Sequence, residues 1–314
     1  DKIAWYENDG SESFTEHAIS TSADGARSVY ATDVDGDGDM DVLSASIYDD
    51  KIAWYEQDGV YPTYIPDDNF EQALIDLGYD DVIDDYVLTE NISGITSLDV
   101  SDKEISDLTG IEGFTTLTIL SCHYNTLTAL DVSANPALTT LYCAGNQLTA
   151  LDVSANPALT VLSCYGNDLT TLDVSANPAL TSLSCSDNQL TNLDVSNNTG
   201  LTTLHCNRNQ LTALDVSANT VLETLRCNYN QLTYLNMSNG ATDQLIEFNA
   251  TDNSFDCIEV NAEDVDYATT NWTNENGSID DGVTFANICS SNPNYTYVPD
   301  DNFAQTLIDL GYDD

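Results

Sequence analysis

The chain has 314 residues, 41% of them hydrophobic, and sets 53 Asp and Glu against 6 Lys and Arg for a formal charge of −47. That apolar content is enough to bury a sizeable core, which argues against a disordered chain. A field of this sign repels phosphate backbones and anionic headgroups, so nucleic acid and membrane surfaces are poor partners.

No segment approaches the roughly 18 apolar residues of a membrane span, so no membrane insertion is expected of this stretch. The surplus of carboxylates has to be tolerated through salt, divalent cations or both, which fits a marine or extracellular setting.

Residues 1–60 contain a 49-residue repeat, in which DKIAWYENDG at 1–10 returns as DKIAWYEQDG at 50–59. Apolar alternation in KIAWYE, SVYATDV and DVLSAS predicts short antiparallel strands of β-propeller type. One blade cannot close a ring, so the domain is partial and leaves a sheet edge. Between two of its strands lies DVDGDGDMD at 33–41, with carboxylates at the first, third, fifth and ninth positions and glycine at the sixth. Ca2+ takes six to eight oxygens from a tightly wound loop. Asp33, Asp35, Asp37 and Asp41 are expected to give carboxylates and Asp39 its backbone carbonyl. So many Asp in so few residues repel one another without a cation.

Residues 64–111 carry a helix signal, with Asp67 and Asp68 as cap candidates and Phe70, Leu74 and Leu77 on one face. From 112 to 254 a 21-residue period, LxxLxCxxNxLxxLDVSxNPx, aligns Leu, Cys and Asn down the chain, so each repeat is one coil of a solenoid. The helical segment is expected to be the N-terminal cap that seals the solenoid's first coil. Each coil divides into two alternating halves. Stacking the coils predicts two parallel sheets stepping about 4.8 Å per coil. Leu141, Cys143, Leu151 and Val153 then point inward, and Tyr142, Asp152 and Ser154 outward. The Asn after each strand is expected to turn the chain, its amide meeting backbone groups of the next coil.

The cysteine column reads as a buried row of small hydrophobes, because parallel coils set successive Cβ atoms too far apart for disulfides and zinc needs four converging thiolates. Cys257 and Cys289 stand outside the column, in a C-terminal cap over 255–289, and an exported protein is expected to bridge them. A polar link at 290–296 precedes the start of a second cap at 297–314, whose YVPDDNFAQTLIDLGYDD echoes 64–81.

Two outward columns vary from coil to coil. One runs through Tyr142, His205 and Arg226, the other through His123, Tyr165, Asn207 and Asn228. Varied exposed residues on a regular scaffold suit recognition of a protein or glycan, although drift on an unused surface gives the same pattern. The Asp131, Asp152, Asp173, Asp194 and Asp215 column reads as structural, its carboxylates accepting local hydrogen bonds. Three histidines, and the absence of GxSxG, HExxH or a phosphate-cradling glycine loop, give no catalytic constellation, so no enzyme is expected.

The 21-residue repeat, the cap IPDDNFEQALIDLG and the ending FDCIEV with its later Cys289 closely resemble leucine-rich repeat domains of secreted flavobacterial proteins, over 64–296. DVDGDGDMDVLSAS followed by DDKIAWYE resembles the FG-GAP or VCBS repeat over 1–59, whose calcium loop uses the positions held here by Asp33, Asp35, Asp37, Asp39 and Asp41. The resemblance implies export, by type IX secretion, and adhesion or binding at a cell surface. The fold class expected is therefore mainly β, a leucine-rich repeat solenoid with strands on two faces and a helical cap, preceded by a partial propeller repeat. Two alternatives stand beside adhesion: a structural fibre self-associated from tandem solenoids, and an accessory module of a larger secreted enzyme.

Overall fold

The computed structural model describes residues 2–8, 14–22, 24–32, 41–48, 51–55 and 62–289. The chain divides between residues 61 and 62 into two units. In the first, β1 (Ile3–Asn8) pairs antiparallel with β2 (Phe14–Ser20). Three further strands, β3 (Ala26–Thr32), β4 (Asp41–Ser46) and β5 (Lys51–Tyr55), form an antiparallel meander. This sheet leaves Tyr30, Ile52 and Trp54 exposed, because a lone layer has nothing of its own to lay over them.

The second unit opens with a cap. Strands β6 (Pro62–Tyr64) and β7 (Tyr86–Leu88) pair antiparallel around α1 (Asp68–Leu77). Asp67 is the N-cap, its Oδ1 accepting the N–H groups of Asn69 and Phe70. Its Oδ2 accepts from Ser106 N–H, Ser106 Oγ and Asp107 N–H, which fastens the helix to the first coil. Burial alone would raise the Asp67 pKa; these bonds outweigh it and hold the carboxyl below the usual range. Asp68 is the first helical residue and not the cap. Phe70 and Leu74 are buried, but Leu77 is 44% exposed. The helix stops there, since Gly78 takes the left-handed conformation at φ 80° and turns the chain away. Fully buried Glu71 accepts the N–H groups of Asp84, Asp85 and Tyr86, tying the cap's loop to its helix.

After the short helix α2 (Thr89–Ile92) the coils begin. One strand per coil gives β8 (Ser97–Asp99), β9 (Ile119–Ser121), β10 (Thr140–Tyr142), β11 (Val161–Ser163), β12 (Ser182–Ser184) and β13 (Thr203–His205). On the other side lies β14 (Ala213–Asp215), followed by β15 (Thr224–Arg226), β16 (Tyr234–Met237), β17 (Glu247–Asn249) and β18 (Cys257–Val260). Helix α3 (Val265–Asn271) and β19 (Thr284–Ala286) end the described chain. Strands β8 to β13, β15 and β17 make one eight-stranded parallel sheet, in which residues 21 apart face each other, as Leu141 does Leu162. The molecule is thus mainly β, a solenoid of about eight turns.

The second sheet is shorter than the repeat predicts. It has four strands, β14, β16, β18 and β19, and the LDV half-repeats at 130–132, 151–153, 172–174 and 193–195 form no strand. A stack laddered along one side fixes coil spacing only there, and the other side is free to spread. In these coils that side is held by buried amides: Asn156 donates to Val132 O and Asn135 O of the preceding coil, and Asn177 and Asn198 repeat the arrangement. Backbone pairing takes over where Tyr234 and Met237 replace smaller residues and the C-terminal cap closes the stack.

The interior is a set of columns. Leu120, Leu141, Leu162, Leu183, Leu204 and Leu225 are fully buried, as are the ladder cysteines from Cys122 to Cys227. Burial pushes the thiols of Cys122, Cys164 and Cys227 up to about 12, so they remain protonated, as small hydrophobes. The asparagine after each strand reaches back and not forward: Asn146 Nδ2 donates to Cys122 O and to its own coil's Cys143 O, while its Oδ1 accepts Leu127 N–H. A turn placed after its strand faces the coil already laid down.

At the C-terminal end the two-residue slip after Gly240 is absorbed by a turn at Thr242–Gln244, and β17 still pairs with β15, Phe248 opposite Leu225. Trp272 packs 4.3 Å from Phe248 and 5.7 Å from Phe285 by ring centroids. Cys257 and Cys289 are joined as a disulfide with Cα atoms 5.8 Å apart. Between them buried Glu259 accepts Cys289 N–H and the Tyr234 hydroxyl.

Candidate recognition face

Because Leu and Cys of each strand point inward, the intervening residues form the outer face of the eight-stranded sheet. The pairing sets Tyr142, Ser163, Ser184, His205 and Arg226 side by side in one column. Backbone bonds beyond the strands continue the order through a second column, since Tyr124 N–H donates to Ala144 O and Gly145 N–H to Tyr165 O. Tyr142 and Arg226 are exposed, and His123, Tyr165, His205, Asn207 and Asn228 are half-buried. Ala144 and Ser186, which belong to the second column by register, are buried and line the floor of the face.

Charge is sorted by face. In the six coils from Ile119 to Asn228 the three outward positions of each strand carry Ser, Thr, Tyr, His, Asn, Ile, Val, Ala and one Arg, and none carries Asp or Glu, in a chain with 53 of them. The opposite side bears the regular aspartates. Asp131 Oδ1 accepts Ser133 N–H at 2.9 Å, and Asp152, Asp173, Asp194 and Asp215 repeat the bond. The Ser133 hydroxyl, then its N–H, hold Asp131 below the usual carboxylate range, and serine bonds do the same for Asp152, Asp173 and Asp194.

A third column escaped the sequence reading. The residue before each turn asparagine is left-handed: Tyr124 at φ 55°, Gly145 at 63°, Gly166 at 66°, Asp187 at 51°, Arg208 at 55° and Tyr229 at 54°. Glycine is the undemanding occupant of this conformation, and a bulky residue there costs about 1–2 kcal/mol. The bulky ones make defined surface contacts. The Tyr124 ring crosses Gly145, where an added Cβ would lie 2.4 Å from Tyr124 Cδ1, and its hydroxyl bonds the Tyr165 hydroxyl two coils away. That bond first, with burial, pushes the Tyr165 phenol up to about 12. His123 stands edge-on to Tyr124 at 5.2 Å. Toward the other end Arg208 lies over the Tyr229 ring at 4.7 Å, with Asp187 3.8 Å away. Arg226 forms a two-point pair with Glu247 at 2.6 and 3.0 Å. Burial, followed by Arg226, pushes the His205 pKa down, leaving that imidazole uncharged at neutral pH. The legible signal was glycine at two steps of this column: of the other four, Asp187 tolerates the conformation better, and Tyr124, Arg208 and Tyr229 hold it against their own preference.

Gly145→Ala tests how this corner is built. Left-handed strain and the Cβ contact are expected to cost about 1–2 kcal/mol. The Tyr124 ring is displaced from Tyr165, read as a lowered urea midpoint together with an acid shift of the Tyr165 titration followed by ultraviolet absorbance.

Of the calcium-loop residues, Asp33, Asp35, Asp37 and Asp39 lie outside the described residues. Asp41 opens β4 and pairs with Thr32, so the register brings the two ends of the 33–40 segment together. In the cap, Asp68, Glu71 and Asp85 bring carboxylate oxygens within 4.8 Å of one another, with Glu71 already engaged by three backbone donors. Among the described residues no helix is long and apolar enough to cross a membrane.

Residues 1–44 match an FG-GAP-like repeat, and residues 178–219 match a pair of leucine-rich repeats. Over 72 residues the chain is 43% identical to Internalin J of Listeria monocytogenes serotype 4b (strain F2365), a stretch covering 23% of this chain and 8% of that protein. Among solved structures it is similar to the functional domain of InlJ from Listeria monocytogenes, described as including a cysteine ladder, at 35% identity and a TM-score of 0.57. That likeness covers 64% of this chain and 52% of that one. Internalin C2 from Listeria monocytogenes strain 4b F2365 shares the fold at 22% identity, TM-score 0.59, over 74% of this chain and all of the other. The chain therefore spans a small part of full Internalin J and about half of the solved InlJ domain.

Proposed function

We propose that this chain is a non-enzymatic recognition or adhesion module, displayed at a cell surface or released, and that it binds its ligand on the outer face of the eight-stranded sheet. One observation carries the reading: across the six coils from Ile119 to Asn228 the outward positions of this face vary from coil to coil and none carries Asp or Glu, in a chain otherwise strongly acidic. Display outside the cell is supported by the Cys257–Cys289 bridge, which suits an oxidising compartment.

Calcium belongs to the same proposal. Asp33, Asp35, Asp37, Asp39 and Asp41 have the spacing of a calcium loop, and the Thr32–Asp41 pairing brings together the two strands that loop joins. The ion would neutralise the cluster and fix the β3–β4 connection.

The experiment is retention of labelled protein on a panel of immobilised polysaccharides and extracellular proteins. Tyr142→Ala with Arg226→Ala is expected to abolish retention, and Asp152→Ala with Asp173→Ala on the opposite face to leave it unchanged. Equal retention by both variants would place binding elsewhere.

A fibre has one observation in its favour: the N-terminal cap leaves Tyr64, Leu77, Val82, Ile83, Tyr86 and Leu88 exposed, apolar surface suited to a second copy. Sedimentation velocity across a concentration series decides it, since a constant monomer removes the fibre reading.

A further inference from the structure

We infer that the ligand of the sheet face, over its six acid-free strands β9–β13 and β15, is a neutral glycan, a polyhydroxylated chain without carboxylate or sulfate groups. The inference rests on the reading of that face as the binding face and adds the chemistry it selects.

The first argument is electrostatic. At −47 the chain repels a polyanion from every approach, and among the described residues no free cluster of cations opposes this on the face. Its cation, Arg226, is paired with Glu247, and neighbouring Arg208 is held between Tyr229 and Asp187. A cationic protein meets the reverse problem. Carboxylates that complement it lie on the opposite side, in the Asp131 to Asp215 column; on the sheet face the six strands β9–β13 and β15 offer none, and those at its ends and edge, Asp99, Glu247 and Asp187, are engaged by Ser101, Arg226 and Arg208. Selection for either kind of charged partner would place charge on the face. The charges present are paired with one another, Arg226 with Glu247 and Arg208 with Asp187, and the groups between them are neutral, since His205 is driven to its uncharged form and the Tyr165 phenol keeps its proton.

The second argument is the inventory of groups. Serine and threonine hydroxyls, the amides of Asn207 and Asn228 and the imidazoles offer donors and acceptors at each coil step, as a chain of hydroxyls requires. The Tyr124–Tyr165 pair, held by its hydroxyl bond and seated on Gly145, gives a fixed aromatic edge beside exposed Tyr142. Rigid aromatic groups ringed by small polar ones bind with little loss of side-chain freedom. Left-handed Tyr124 is the second, independent sign that this edge is kept for a ligand, because glycine would serve the fold better there.

The test is calorimetric titration of the intact chain with cellohexaose, laminarihexaose, mannohexaose and xylohexaose, with polygalacturonate and heparin as charged counterparts. At least one neutral hexasaccharide is expected to bind, with a Kd changing less than about twofold between 50 and 500 mM NaCl because no counterions are released. Tyr142→Ala with Tyr165→Ala should weaken that binding about tenfold or more while the urea midpoint of the fold holds. Binding of the polyanions in place of the neutral sugars overturns the inference. Should no sugar bind while the same double variant abolishes retention on immobilised protein, the face stands and the glycan falls. A variant that leaves every binding signal intact removes both readings.

Discussion

Asn188→Ala is expected to lower the unfolding free energy by about 2–3 kcal/mol. The side chain is buried and works in both directions. Its Nδ2 donates to Cys164 O of the preceding coil and to Cys185 O and Ser186 O of its own, all at 3.1 Å, and its Oδ1 accepts Leu169 N–H at 3.0 Å. Truncation strands the buried Leu169 N–H, while the three carbonyls keep second donors: Asn167 Nδ2 on Cys164 O, Asn209 Nδ2 on Cys185 O and Gly166 N–H on Ser186 O. The stranded N–H costs about 1–3 kcal/mol, to which the lost amide bonds add, and water entering the gap recovers part of the sum. Asn188→Asp separates hydrogen bonding from shape: the acceptor toward Leu169 survives while the donor becomes an oxygen facing carbonyls, so it is expected to be at least as damaging. Asn207→Ala is the control, since that amide receives the Ser186 hydroxyl on the half-buried outer face and its loss should stay below about 1 kcal/mol. Because the coils' buried packing and backbone bonds run between neighbours, a fault in the middle should also broaden the urea transition, the halves melting separately. A loss under about 1 kcal/mol for Asn188→Ala would mean that leucine packing alone sets the stack.

Asn188 was only half legible from sequence because periodicity encodes position and not reach. A 21-residue step fixes which residues share a column, so the Leu and Cys columns, one coil per repeat and the parallel sheet could all be read from the sequence alone. The direction in which a turn side chain reaches is not periodic information, and the asparagines bind the coil before them, not the one after. Nor does period set how closely the second half-repeats approach, so the expected second sheet shrank to four strands at the C-terminal end. On the recognition face the two varied columns were legible, because outwardness comes from alternation. The left-handed column through Tyr124, Arg208 and Tyr229 was not, since φ is a backbone property that shows in sequence only through Gly145 and Gly166. The contacts those residues make across two coils have no sequence signature at all.

Reduction of the Cys257–Cys289 bridge is expected to cost about 3.5–4 kcal/mol in the C-terminal cap, the loop-closure value for the 32-residue separation. The bridge ties β18, in the body of the second sheet, to the chain just past β19, its edge. Without it β19 and α3 keep the Trp272 cluster and the Glu259 bonds to Cys289 N–H and Tyr234, a small set for an end that solvent attacks from one side. The cap should therefore fray before the coils melt, exposing Trp272 and shifting its emission to the red. The chain carries its own internal standard. Of its 8 cysteines, 6 are buried ladder thiols whose pKa burial pushes up, so a thiolate-seeking reagent finds them only after unfolding. Mild reduction followed by iodoacetamide and intact-mass measurement should add two labels while the ladder stays unlabelled, and urea should then release the other six. Cys257→Ser with Cys289→Ser should match the reduced protein in midpoint. Two labels with an unchanged midpoint would mean the cap is held by packing alone. Labelling of all eight at the first step would mean instead that the cap secures the whole stack, and that the coils cannot survive with an open end.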